Sequence, residues 1–407
     1  MGLLKDKEII LAVTGGIAGY KAVELLRMLT EAGAGVQVVM TENACQFVGP
    51  ITFEALSGRQ VGLDLFAPGQ EAVMAHIELA RQADLLVIVP ATANVLAKLA
   101  AGLADDLLTT LVLACRSPVI LAPAMNVAMW EKPAVQSNVK RVQGLGYRLV
   151  GPEQGELACG DEGYGRLASL AAIWEEMEAA LSPNDLSKET IIVTAGPTQE
   201  AIDPVRFLSN RSSGRMGYAL ARVARRRGAR VILISGPVSL PSPGRVEVVE
   251  VNSAAKMREA VLKHWQEASA LVMAAAVTDF KPAKSSKVKV KKGEFPASIP
   301  VKANPDILKE LGEKKGDRIL IGFAAETDNV VDNARLKVKE KNLDLIVAND
   351  VTRPDSGFGT DTNRVQLINQ DLEMTDLPLL TKEEVADSVL DRLVQIREKR
   401  AAKLSRP

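Results

Sequence analysis

Cysteine and histidine are scarce in this chain. Three cysteines (Cys45, Cys115, Cys159) and two histidines (His76, His264) are scattered over 407 residues with no CxxC pair. That set is too thin for a disulfide framework and argues against a structural zinc site. An excess of one charge is missing too. Lys+Arg and Asp+Glu stand at 50 each, so no global field favours nucleic acid or a membrane surface. No uninterrupted apolar run reaches membrane length. The opening MGLLKDKEIILAVTGG runs from apolar residues straight into a glycine turn, which is not a signal-peptide layout. The expectation is a soluble, cytoplasmic protein. The P-loop GxxxxGK[ST], the GxSxG elbow and HExxH are also absent, which excludes the sites built on them.

What is present is apolar residues, 47% of the chain, enough for two cores of roughly 180 and 220 residues. A strand, a Gly/Pro turn, a polar loop, a helix and a second strand follow one another over residues 191–236. Such an opening belongs near the start of an α/β domain, yet it lies mid-chain. The preceding LSPNDLSK, residues 181–188, has linker composition. The expectation is two domains, 1–186 and 187–407, each an open, mostly parallel, Rossmann-like α/β sheet.

In the first half, a strand at 8–13 ends in Thr14-Gly15-Gly16-Ile17-Ala18-Gly19, and a helix over about 20–32 and a strand at 36–40 follow. A turn of this kind can offer backbone N–H groups to a phosphate or a ring system. The order GGxxG and the missing strand-end carboxylate do not meet the dinucleotide fingerprint, and a plain tight connection reads equally well. Residues 85–90 form a buried strand ending in PATAN, with Thr92 and Asn94. Another strand at 118–122 ends in PAMNVAMW, with Asn126. Two strand ends with asparagine-bearing loops suggest one crevice, although both asparagines could simply cap helices. Cys159, in a glycine-rich loop, suits a proton donor on a closing flap, or is incidental. Cys45 and Cys115 fall in helical patterns and read as core.

In the second half, a strand at 270–276 leads to Asp279, and KPAKSSKVKVKKG follows. A lysine run is usually a solvated face. Directly after a strand-end aspartate it also reads as a clamp for a triphosphate. Further strands at 319–324 and 343–347, a charged helix at 330–341 and a terminal helix at 383–397 complete the pattern.

These residues carry a family resemblance. GGIAGYK (15–21), His76, PATANVLAKLAAGLADDLLT (90–109), PAMNVAMW (123–130) and ACG (158–160) fall in the first half. TAGPTQEAIDPVRFLSNRSSGRMG (194–217), AAAVTDF (274–280), KVKK (289–292), GFAAET (322–327) and IVAND (346–350) fall in the second. Together they closely resemble the bifunctional bacterial phosphopantothenoylcysteine decarboxylase/phosphopantothenate–cysteine ligases of coenzyme A biosynthesis, over essentially the whole length. The lysine loop varies from the family pattern but keeps its lysines.

The resemblance implies that the first domain is an FMN enzyme of the homo-oligomeric flavin-containing cysteine decarboxylase type. An α-carboxylate beside an amide has no electron sink. Flavin oxidation of the cysteinyl thiol to a thioaldehyde provides one, and reduction of the resulting enethiol then yields 4'-phosphopantetheine. By position, His76 would work in oxidation and decarboxylation, Asn126 would hold the carboxylate, and Cys159 would supply a proton. Gly15, Gly16, Ile17, Thr41, Thr92 and Asn94 would contact the flavin. The second domain would join L-cysteine to 4'-phosphopantothenate with CTP through an acyl-cytidylate. Asn210 would stabilise that intermediate and Lys289 would offset charge as it forms. Asp279, Lys289, Phe323, Lys337 and Lys341 would contact CTP, Mg²⁺ would neutralise the triphosphate, and Arg211 and Arg215 suit the substrate phosphate. The family analogy adds a dodecamer, and the metal ligands stay unassigned. An NAD-type reductase would need the missing dinucleotide turn. A non-catalytic flavin-binding regulator would be expected to lack Cys159 or the second domain.

Overall fold

The computed structural model describes residues 3–65, 75–157, 160–292, 298–350, 352 and 359–404. It divides the chain into two compact units, Met1–Ser182 and Pro183–Pro407.

Unit 1 is built on five short strands: β1 (Glu8–Val13), β2 (Gly35–Met40), β3 (Leu85–Ala91), β4 (Val119–Pro123) and β5 (Arg148–Leu149). They pair in parallel in the order β2-β1-β3-β4-β5. Every residue of β3 is buried, because helices cover both faces of a parallel sheet and leave no side for water. α1 (Gly19–Glu31), α2 (Pro50–Ser57) and α8 (Leu170–Leu181) belong to one face. α3 (Ala75–Gln82), α4 (Ala93–Ala101), α5 (Leu107–Ala114) and α7 (Pro133–Gly144) belong to the other. The short α6 (Val127–Trp130) follows β4, and a hairpin of β6 (Glu153–Glu156) and β7 (Glu162–Arg166) precedes α8.

Unit 2 begins with β8 (Thr190–Ala195), the hairpin β9 (Gln199–Ala201) and β10 (Phe207–Ser209), and α9 (Arg215–Arg226). β11 (Arg230–Ser235), β12 (Glu247–Glu250), α10 (Ala254–His264) and β13 (Ala270–Met273) follow. The short strands β14 (Phe280–Pro282) and β15 (Val301–Ala303) pair across the lysine loop. Then come α11 (Ile307–Glu313), β16 (Ile319–Glu326), α12 (Val330–Glu340) and β17 (Leu345–Asp350). β18 (Thr362–Asn363), β19 (Val365–Asn369), β20 (Met374–Asp376), β21 (Leu380–Thr381) and α13 (Lys382–Leu404) close the chain. The main sheet runs β12-β11-β8-β13-β16-β17-β19-β20, with only its last two pairings antiparallel. Its first six strands, renumbered by chain order, read 3-2-1-4-5-6. Both units are therefore doubly wound α/β sheets, as expected.

α9 shows why this unit coheres. Its apolar face buries Leu220, Val223 and Ala224 against β8 and β11. Its basic last turn suits the negative end of the helix dipole, and the helix meets α13 through Arg226–Asp387 (2.7 Å) and Arg222–Glu383 (3.0 Å). Leu390 and Leu393 of α13 are fully buried, so truncating either to Ala costs about 2–5 kcal/mol. The linker-like segment is in part bound to this unit. Leu186 is fully buried, and Asp185 lies 2.6 Å from the buried Arg227 guanidinium.

Candidate functional site

The order of unit 1's strands prepares a crevice. The chain leaves β1 toward β2 on one side and returns to β3 on the other, so the loops after β1 and β3 diverge. The carboxyl ends of β1 to β4 open there into one cavity of about 1510 Å³. Gly15, Gly16 and Ile17 line it from β1, Thr41 from β2, Thr92 and Asn94 from β3, and Asn126 from β4. A Cβ on Gly15 would lie 2.5 Å from Asn43 Cβ, so only glycine allows that approach. Thr14, which sequence reasoning did not select, ties two strand ends together. Its buried hydroxyl donates to Pro90 O at 2.6 Å and accepts from Thr92 N at 3.2 Å.

The cap reading of the asparagines holds for one of them. Asn126 accepts from Ala128 N at 2.8 Å as the cap of α6, while its amide donates to Asp161 Oδ2 at 2.8 Å. α4 is capped by Thr92 instead, leaving Asn94 exposed in the first turn toward the cavity. Gly163 and Gly165 of β7 serve close packing, whereas a Cβ on Gly160 would meet open space. A Cβ on Gly165 would sit 2.2 Å from Met125 O, which presses β7 against the Asn126 loop. Glu156, Leu157 and Arg166 of this hairpin segment complete the wall. Cys159 lies outside the described residues. His76 stands half-buried in the first turn of α3 and is not part of the cavity wall among the described residues.

Two further groups mark the cavity. Lys98 lies 2.8 Å from both Asp105 and Asp106. Donating to the Asp105 and Asp106 carboxylates holds its ammonium charged to higher pH than usual. Burial alone would raise the Asp106 carboxyl, but Lys98 and Thr109 outweigh it and hold it low. The hydroxyl of Thr41 is buried without a hydrogen-bond partner among the described residues. Cys45 also lines the cavity, half-buried, and burial pushes its thiol up. Cys115 is half-buried at the end of α5.

In unit 2 the corresponding switch point lies between β8 and β13. Asn210, just after β10, folds over the end of β13 and donates to Val277 O at 3.1 Å and Ala276 O at 3.4 Å. Asp279 is exposed nearby, its carbonyl accepting from Asn304 N at 2.8 Å. Lys289 is exposed in the lysine loop. That loop is fastened to the β9–β10 turn: Val290 N donates to Asp203 at 3.3 Å, and Arg206 donates to Val290 O at 3.2 Å. Burial would raise the Asp203 carboxyl, yet the backbone N–H groups of Val205, Arg206 and Val290, with Arg206's charge, hold it below the usual range.

The α12 lysines are engaged by carboxylates. Lys337 lies 2.6 Å from Glu326, and Lys341 lies 2.9 Å from Asp306, the cap of α11. Burial opposes Asp306's ionisation, but Lys341 and the Lys309 N–H prevail and lower its pKa. Phe323 packs with the cluster on the α9/α13 face, whereas α12 packs on the opposite face, so the five nucleotide candidates do not meet in one wall. Arg215 opens α9 and pairs with Asp361, and Arg211 is exposed. No group of three or more His, Cys, Asp or Glu that could hold a metal occurs among the described residues. No helix there is long and apolar enough to cross a membrane.

The family models divide the chain in the same way. The Flavoprotein model matches residues 2–182, and the DNA/pantothenate metabolism flavoprotein C-terminal domain model matches residues 186–396. Fold and matches together define a two-domain α/β flavoprotein. The chain is 48% identical over 398 residues to the coenzyme A biosynthesis bifunctional protein CoaBC of Bacillus subtilis (strain 168), covering 97% of this chain and 98% of that one. The chain belongs to the coenzyme A biosynthesis bifunctional protein family. A solved C-terminal domain of such a protein is 45% identical and covers 53% of this chain and 99% of its own, with TM-score 0.46. The solved FMN-dependent cysteine decarboxylase SpaF is 37% identical and covers 44% of this chain and 99% of its own, with TM-score 0.39.

Proposed function

We propose that this chain performs two successive steps of coenzyme A biosynthesis. Unit 2 joins L-cysteine to 4'-phosphopantothenate with CTP, in a ligase domain assigned to residues 187–407. Unit 1 decarboxylates the 4'-phosphopantothenoylcysteine formed, in a decarboxylase domain assigned to residues 1–186, giving 4'-phosphopantetheine and carbon dioxide. The observation that carries the reading is the convergence of four strand ends, with Asn126, on one large cavity in a full-length relative of the family.

The cavity suits FMN. It exceeds the roughly 300–1,000 Å³ of a single small-ligand pocket, leaving room for cofactor and substrate together. The unpartnered Thr41 hydroxyl and the N-terminus of α4 supply polar groups toward a ring edge or a phosphate. Bound flavin supplies the two-electron oxidation that gives the substrate an electron sink. The chain supplies orientation: Asn126 presents its amide to the substrate carboxylate, and the β6–β7 hairpin excludes water beside it. Cys159 is the proton donor, and His76 acts in the same reaction.

In unit 2 the 4'-phosphopantothenate carboxylate attacks the α-phosphorus of CTP. Pyrophosphate leaves with the bonding electrons, and an acyl-cytidylate forms. The amine of cysteine then attacks the acyl carbon, releasing CMP and a proton. Lys289 offsets charge on the α-phosphoryl oxygens, and Asn210 donates to the intermediate. Asp279, Phe323, Lys337 and Lys341 hold the nucleotide. Mg²⁺, when bound, would neutralise charge on the triphosphate, which suits this ion's preference for phosphate oxygens. The enzyme works in the cytoplasm as a homo-oligomer, a dodecamer by family analogy.

The test uses purified protein. A flavin spectrum and conversion of 4'-phosphopantothenate, cysteine, CTP and Mg²⁺ to 4'-phosphopantetheine, followed by mass spectrometry, support both steps. Accumulation of 4'-phosphopantothenoylcysteine without carbon dioxide removes the roles of His76, Asn126 and Cys159. Absence of pyrophosphate removes the ligase.

A further inference from the structure

We propose that Asp203 is a positioning residue of the ligase site, holding the lysine loop against the Asn210 hairpin so that Lys289 faces the reacting phosphoryl group. The proposal deepens the ligase reading of unit 2 and rests on it.

The argument begins with how the two carboxylate oxygens divide their work. The Asp203 side chain is fully buried. Its Oδ1 accepts from Val205 N and Arg206 N, both at 2.8 Å. Those two bonds close the turn of the β9–β10 hairpin, as an aspartate or an asparagine does in many turns. Its Oδ2 accepts from Arg206 Nη1 at 2.8 Å and Val290 N at 3.3 Å. The bond to Val290 N contributes nothing to the hairpin. It reaches a residue 87 positions away, next to Lys289.

The docking has other strands to it. Arg206 donates to Val290 O at 3.2 Å, and Ser286 N donates to Ile202 O at 2.9 Å. The lysine loop is thus fastened near both ends of its 286–290 stretch to one turn. On the far side of that turn, β10 runs directly into Asn210. A single buried carboxylate therefore fixes the spacing between the two loops that carry the ligase candidates. A buried carboxylate is retained only where donors satisfy it, and here one of its four bonds, that from Val290 N, serves the spacing directly, while the bond from Arg206 Nη1 holds the guanidinium that donates to Val290 O.

Positioning matters most in the first half-reaction. There the substrate carboxylate forms a bond to the α-phosphorus of CTP while the bond to pyrophosphate breaks. The lysine must meet charge as it develops, and a misplacement of about 1 Å can cost on the order of 10²-fold. Release of CMP by the cysteine amine does not place the same demand on Lys289.

The experiment uses the full chain and Asp203→Asn. Asparagine keeps Oδ1 and the turn, but sets an amide NH₂ against the Val290 N–H and the Arg206 guanidinium. With 4'-phosphopantothenate, CTP and Mg²⁺ but no cysteine, the pyrophosphate burst should slow by about 10–100-fold. Cysteine-dependent CMP release from the accumulated intermediate should stay within about twofold, and amide hydrogen exchange at 286–292 should speed up. A wild-type burst in the variant, or equal slowing of both half-reactions, overturns the proposal. Should Asp203→Asn not fold, Ser286→Pro removes the N–H donated to Ile202 and should slow the burst in the same selective way. A wild-type burst there also overturns it. If the wild-type chain itself gives no burst, the ligase reading falls and the proposal falls with it.

Discussion

The two units use the same architectural device and reach opposite kinds of site. Each is a mostly parallel sheet whose strand order reverses beside its first strand, and each has candidates near the carboxyl ends of strands. In unit 1 those ends converge, and most candidates line one wall of a ready cavity. In unit 2 the candidates sit on separate loops and helices, and Lys337 and Lys341 are held by Glu326 and Asp306. The difference follows the ligands proposed for them. A planar ring system needs a preformed shape, which backbone and glycine provide. A triphosphate needs charge, which long lysine side chains bring from several directions and exchange from a resident carboxylate.

The strongest way to break this comparison is to disable one unit at a time. Asn126→Ala should lower decarboxylation of supplied 4'-phosphopantothenoylcysteine by on the order of 10²–10³-fold, the usual loss of a charge-stabilising donor. Ligation should continue unchanged. Asn210→Ala should do the reverse, and product analysis by mass spectrometry reads both. Loss of both activities in either variant would mean that the units are not independent.

Shape against charge gives the next test. Gly15→Val introduces a side chain where even a Cβ comes 2.5 Å from Asn43 Cβ. The protein should purify with little or no flavin absorbance and retain full ligase activity. Lys337→Ala, by contrast, should leave the flavin spectrum untouched and raise the KM for CTP by about 10–100-fold, the value of one charged hydrogen bond. A bleached Lys337→Ala protein would contradict the assignment of sites to units.

The smallest expected effect concerns the resident carboxylates. Asp306 has a lowered pKa in the folded chain. Its ionised form therefore stabilises the fold above the unfolded value of about 3.9, and that contribution drains away as pH falls through the folded value. Asp306→Asn keeps the α11 cap but releases Lys341. At pH 7 it should cost about 0.5–1 kcal/mol, because the pair is partly exposed. Denaturation below about pH 4 should show a shallower acid loss than in the wild type.

Legibility followed burial. The strands of both sheets are apolar runs between turn residues, and β1, β3, β8 and β16 lie where the pattern puts them. The expected strand over 270–276 is shorter, since β13 ends at Met273. The β6–β7 and β9–β10 hairpins passed for loops because they are short and polar, with no alternating apolar face to read. Thr14, Lys98 and Asp203 escaped notice for a related reason. Each acts through a partner distant in sequence or across a turn, and a single threonine, lysine or aspartate carries no pattern. Lys98 had one faint signal, the paired aspartates at 105 and 106 beyond its helix.

The order of strands and helices, the glycine turn after β1 and the asparagine-bearing loops were already determined by the sequence. Local apolar periodicity and turn chemistry act over a few residues and need no tertiary context. Tertiary structure alone decided that Thr92 rather than Asn94 caps α4, that Gly163 and Gly165 serve close packing, and that His76 stands off the described cavity wall. It also decided which carboxylate holds which lysine. Those outcomes depend on distances between segments far apart in the chain, and such distances exist only once both sheets have formed.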